Sequence, residues 1–127
     1  MRVDHLGIAT DRAEELADVY ENLLGAEVAH RESGDINFVF VELNGNYFEF
    51  LEPVDMDSDI GRHVREHGTG FHHVGIEVED LPAALEHARE VGVELIDEEP
   101  HPGAWGHEIA FLDPESTGGL RIELFEE

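Results

Sequence analysis

Two short words recur in this chain, "DHLGIATD" from Asp4 and "HHVGIEVED" from His72. In each, a histidine stands two residues before a glycine: His5 before Gly7, and His73 before Gly75. Two other runs, "YFEFLE" and "RIELFE", set an acid between apolar neighbours, Glu49 between Phe48 and Phe50, and Glu123 between Ile122 and Leu124. A lone carboxylate inside an apolar strand is costly to bury and calls for a cationic partner. Two imidazoles and two carboxylates can hold a divalent first-row metal and leave coordination positions open for a substrate. One strand histidine alone reads as a hydrogen-bonded structural residue. The matched repetition of His-x-Gly, with a matched Glu, points instead to a ligand quartet of His5, Glu49, His73 and Glu123.

The elements that must position these residues follow from periodicity. Strand side chains alternate faces, so His5, Gly7 and Ala9 share one face while Leu6 and Ile8 share the other. In the second copy His73, Gly75 and Glu77 oppose Val74, Ile76 and Val78. His72 has the wrong parity, and Glu77 reads as a rim charge. The remaining histidines, His30, His63, His67, His87, His101 and His107, read as surface or loop residues. His101 and His107 flank a loop and stay candidates for a substrate role; for Trp105 a lid and ordinary loop packing both remain open.

The repeat extends over residues 4–28 and 72–95. After each His-x-Gly strand comes a polar turn, a helical stretch, a glycine and a short apolar run. Leu16, Val19, Tyr20 and Leu23 form the expected buried stripe of the first helix; Leu81, Leu85, Ala88 and Val91 form that of the second. Gly25 and Gly92 suit helix C-caps, and Pro82 suits a first turn. Asn44-Gly45 between apolar runs signals a hairpin. Each half therefore reads as strand–helix–strand–strand–strand. The expected fold is α+β: two tandem βαβββ modules, about 1–56 and 70–127, whose curled sheets form a shared metal-containing cleft in a single domain. The linker, about 57–69, contains "SDIGRHVREHG", read as a short helix capped by Ser58.

Charge narrows the function classes. Seven basic residues, all Arg, face 31 acidic ones, for a formal net charge of −24. Such a chain cannot easily build the basic face that a nucleic-acid binder needs. The acids are spread along the chain and read as a solvated surface suited to high salt, where self-repulsion is screened. No apolar run approaches the roughly 20 residues of a membrane span, and the start of the chain lacks the apolar core of a signal peptide. With no cysteine there is neither a disulfide framework nor a thiolate site. A cytoplasmic location is the expectation.

Over about residues 3–126 the sequence resembles the vicinal oxygen chelate superfamily, and within it the methylmalonyl-CoA epimerases. The resemblance rests on "DHLGIA", "FLEP", "GFHHVGIEVEDL", "LIDEEPHPGAWGHEIAFLDPESTGG" and "IEL". It implies epimerisation of an acyl-CoA substrate at C2, by proton abstraction and return through a metal-stabilised enolate. One divalent ion (Co, Zn, Mn, Ni or Fe) would sit on His5, Glu49, His73 and Glu123. Phe38 occupies a position where some members of the family carry a catalytic Glu, so Glu123 is one candidate base, and Glu49, its counterpart in the repeat, or a metal-bound water is the expected group for the other face. Ser116, Thr117 and Gly118, with Gly119, are candidate contacts for an anionic substrate oxygen, and Arg121 is a candidate coenzyme A contact. The superfamily also implies a homodimer. Rival readings on the same scaffold are a glyoxalase I-type lyase acting on a thiol adduct, a metal-free small-molecule binding protein and a ring-cleaving dioxygenase.

Overall fold

The computed structural model describes all residues, 1–127. Two compact units divide the chain, His5–His72 on one side and Met1–Asp4 with His73–Glu127 on the other.

The first unit takes β1 (Arg2–Ala9) from His5 onward, then α1 (Ala13–Leu24), β2 (Glu27–Glu32), β3 (Ile36–Leu43), β4 (Asn46–Pro53) and α2 (Asp59–His67). Its strands lie in the order β2-β3-β4-β1. β1 runs parallel to β4, and the other pairs are antiparallel. The hairpin between β3 and β4 turns on Asn44 and Gly45, with φ of 56° and 90°. Both central residues at positive φ is the geometry whose twist matches that of the flanking strands.

One sheet face meets α1. Ala13 and Ala17 are buried against Ala26, Val39, Val41 and Phe50, with Leu16 and Tyr20 partly buried beside them. The Tyr20 ring stands edge-on to Phe48 and Phe50, at centroid distances of 4.9 and 5.1 Å. Val19 and Leu23, expected in this stripe, are instead 51% and 72% exposed. The contact line runs through residues 13, 16, 17 and 20, because two alanines let the helix axis approach the sheet closely. Gly25 closes the helix in the left-handed conformation, and its N–H reaches the carbonyl of Glu21 at 2.9 Å. On the outer surface Arg31 donates twice to Glu14, at 2.7 and 3.1 Å, tying β2 to the first turn of α1. The guanidinium holds the Glu14 carboxyl below its ordinary range.

The other face carries His5, Ala9, Glu49 and Leu51. Its far end is covered by α2, where Ile60 and Val64 cluster with Ala9 and Leu51. Ser58 caps this helix, its hydroxyl accepting from the N–H of Gly61 at 3.1 Å.

The second unit takes β5 (Gly70–Glu77) from His73 onward, then α3 (Leu81–Glu90), β6 (His101–Pro102), β7 (Glu108–Phe111) and β8 (Ile122–Glu126). The order is β5-β8-β7-β6, with β5 and β8 parallel and the others antiparallel. Asp80 caps α3 by accepting from the N–H of Ala83 at 3.1 Å, and Pro82 stands in its first turn. Leu81, Leu85 and Ala88 pack on Val78, Ala110 and Leu112. Val91, expected to extend that stripe, lies past the helix end and is 61% exposed.

The apolar run after Gly92 does not form the strand that the repeat suggests. It contributes one isolated bridge, Leu95 to Leu112, and the edge strand β6 that follows has two residues. Pro100 and Pro102 lack the N–H a ladder needs, and the acids at 97–99 disfavour pairing. No helix is long and apolar enough to cross a membrane.

Gly61 gives a sharp test of this packing. A Cβ built there would run into the backbone of Met56. Alanine ordinarily stabilises a helix interior relative to glycine by about 1 kcal/mol. Here Gly61→Ala is expected to destabilise by about 1–3 kcal/mol, because the chain cannot relax backbone against backbone. Denaturant unfolding checks the sign.

Candidate active site

In the first unit the parallel pairing of β1 with β4 sets Gly7 opposite Glu49, and the antiparallel pairing of β3 sets Phe40 on its other side. In the second unit β5 and β8 set Gly75 opposite Glu123, and β7 sets Phe111 on the other side. Each carboxylate thus lies between a glycine, which leaves room, and a phenylalanine, which excludes water. The histidine two residues before each glycine points to the same face as the acid.

The resulting pairs are alike. His5 Nε2 lies 3.5 Å from Glu49 Oε1, and both side chains are 6% exposed. His73 Nε2 lies 3.8 Å from Glu123 Oε2, with side chains 1% and 10% exposed. Phe40 stands edge-on to His5 at a centroid distance of 6.5 Å, and Phe111 edge-on to His73 at 5.6 Å. Good charge-assisted hydrogen bonds are shorter, at about 2.7–2.9 Å. Two donors that share a tetrahedral ion at about 2.1 Å each are separated by about 3.4 Å. The spacing within each pair therefore fits a shared cation better than a direct bond. In donor type, in burial and in spacing, the residues present fit a divalent metal.

Other candidates are placed as follows. The Ser116 hydroxyl donates to the Asp113 carbonyl at 2.8 Å and accepts from the N–H of Glu94 at 3.0 Å. The Thr117 hydroxyl donates to the Leu120 carbonyl at 2.7 Å. Gly118 and Gly119 have φ of 77° and 90°, and the N–H of Gly119 closes the loop on Pro114 at 2.7 Å. His101 bonds Asp97 at 3.1 Å, while His107 stacks between Trp105 and Phe125. Glu77 pairs with Arg2 at 3.6 Å. Phe38 packs with the α2 cluster and stacks on Phe40.

Sequence reasoning did not single out Phe40 or Phe111. The signal was present, since both lie in apolar runs that precede a Glu-bearing strand, but only the ladder register reveals them as neighbours of the acids.

Two βαβββ units, each burying one His–Glu pair on the sheet face opposite its helix, define an α+β protein of the glyoxalase fold. The chain belongs to the Glyoxalase/Bleomycin resistance protein/Dioxygenase superfamily, whose family model matches residues 4–111. It is 34% identical to the uncharacterized protein YqjC of Bacillus subtilis, over 98% of this chain and 91% of that protein. It is likewise 34% identical to the ethylmalonyl-CoA/methylmalonyl-CoA epimerase of Cereibacter sphaeroides, over 97% of this chain and 96% of the relative. A solved structure of a Streptomyces coelicolor methylmalonyl-CoA epimerase variant, in complex with 2-nitronate-propionyl-CoA, superposes with a TM-score of 0.94 at 29% identity; the match covers 100% of this chain and 94% of that one.

Replacing the buried pair as a unit, His5→Leu together with Glu49→Leu and without added metal, is expected to leave the unfolding free energy unchanged or to raise it by about 1–2 kcal/mol. A loss beyond about 2 kcal/mol in urea titration would make the His5–Glu49 pair a structural anchor.

Proposed function

We propose that the protein is a metal-dependent epimerase that inverts C2 of methylmalonyl-CoA. The observation that carries this reading is the doubled His–Glu pair, buried once in each half of a chain similar along almost its whole length to epimerases of this kind. His5, Glu49, His73 and Glu123 are the proposed ligands of one divalent ion. When bound, such an ion supplies Lewis acidity to the thioester and carboxylate oxygens of the substrate, stabilising the charge that develops on them.

The protein's own groups move the proton. A C2 hydrogen between two carbonyl-type groups is acidic enough for a carboxylate to remove. One carboxylate oxygen of Glu123 takes it from one face, and Glu49, its counterpart in the repeat, enters the turnover in its acid form and gives its proton to the other face, so that the two exchange protonation states. A base on one face and an acid on the other are what inversion requires, and the repeat provides one carboxyl group in each half. Phe40 and Phe111 flank the two acids and keep water from competing for the proton. The loop with Ser116, Thr117 and Gly118 is proposed to border the substrate's carboxylate, with the Gly118 N–H as donor.

Two experiments test this. Proton NMR of methylmalonyl-CoA in D₂O at high salt should show fast deuterium entry at C2, lost on chelation and restored by metal. Exchange no faster than the protein-free control, in a sample shown to contain metal, rejects the epimerase and favours a glyoxalase-type substrate. Glu49→Gln should retain metal while epimerisation falls by about 10²–10⁴-fold. Full activity with metal retained removes Glu49 from the acid–base pair.

A further inference from the structure

Outside the site described above, three histidines of the first unit lie together. His63 and His67 are four residues apart on α2, so they share one face of the helix. The helix ends at His67, Gly68 turns the chain at φ 70°, and β5 brings His72 back against His63. Ring centroids are 4.7 Å apart for His63 and His67, and 5.0 Å apart for His63 and His72. His63 and His72 are half-buried and His67 is exposed.

We infer that His63, His67 and His72 form a second metal site, for a borderline divalent ion such as Zn, Ni, Cu or Co, distinct from the His–Glu centre. Imidazole nitrogens at i and i+4 on a helix are a chelating pair, and ions of this type favour imidazole. The spacing supports it. Two imidazoles bound to one tetrahedral ion at about 2.1 Å from each nitrogen have ring centroids about 5 Å apart. Both contacts match that value, and His63 is common to both.

The surroundings favour a cation. The neighbouring cations of α2 are engaged by acids, Arg62 with Asp59 and Arg65 with Asp57. The chain as a whole carries −24, which raises the local concentration of any divalent ion. A bound ion would tie the C-terminal turn of α2 to the start of β5. His72 immediately precedes His73 in the chain, so the tie would act one residue before a proposed ligand of the main centre.

Zn²⁺ titration by calorimetry on metal-stripped protein, in salt high enough to screen surface carboxylates, tests the inference. Co²⁺ absorption reports the coordination shell. The unaltered protein should take up two equivalents. His67→Ala, at an exposed position, should lose one of them and keep its C2 exchange rate. His5→Ala should lose the other and keep the one that His67→Ala removes. If His67→Ala and His63→Ala both bind Zn²⁺ as the parent does, the three-histidine site is wrong. A single equivalent that vanishes in His5→Ala and persists in His67→Ala overturns it too. A single equivalent lost only in His67→Ala upholds this site and removes the metal from the proposed epimerase centre, so the two readings fail separately.

Discussion

The parallel ladders that pair β1 with β4 and β5 with β8 fix the chemistry of this protein. Their register sets a glycine beside each buried glutamate, Gly7 beside Glu49 and Gly75 beside Glu123. Side chains alternate with a period of two, so a slip of one residue would send each acid to the opposite face, into the helix-packed core. Burying an unpaired carboxylate among aliphatic groups costs several kcal/mol. The wrong register is therefore disfavoured by the same residues that the right one uses. Chemistry and topology constrain each other here.

The helices contribute by holding one face of each half dry and fully packed. α1 covers the first with small residues at its line of contact, Ala13 and Ala17, and α3 covers the second with Leu81, Leu85 and Ala88. Because those faces are satisfied, the opposite faces can carry polar side chains without the strands losing their core. On the first of these, α2 closes only the end around Ala9 and Leu51, leaving the stretch with His5 and Glu49 uncovered by helix. Phe40 shields the polar pair on one side, and Gly7 leaves it room on the other.

The two halves differ where duplication is least constrained. β2 is a six-residue strand, whereas its counterpart β6 has two residues beside a bridge at Leu95. The loop between β6 and β7 carries Trp105 at φ 62°, a strained conformation for a bulky residue, stacked on His107. Edge strands bear no metal-donor pair, so their length is open to change. The strands that hold His5, Glu49, His73 and Glu123 correspond position for position.

How much of this was legible in the sequence depends on the range of the interaction involved. Local rules placed the helices and caps at Gly25, Ser58 and Pro82, the Asn44-Gly45 hairpin, and the parity that sets each histidine on the face of a glutamate. These follow from steric limits and periodicities of the chain itself, so a single sequence determines them. The rotation of α1 away from Val19 and Leu23, the phenylalanines beside the acids and the contact of His72 with His63 were decided only by the tertiary structure. Each depends on which residue of a distant segment stands opposite, and periodicity along one strand or helix carries no information about its neighbour.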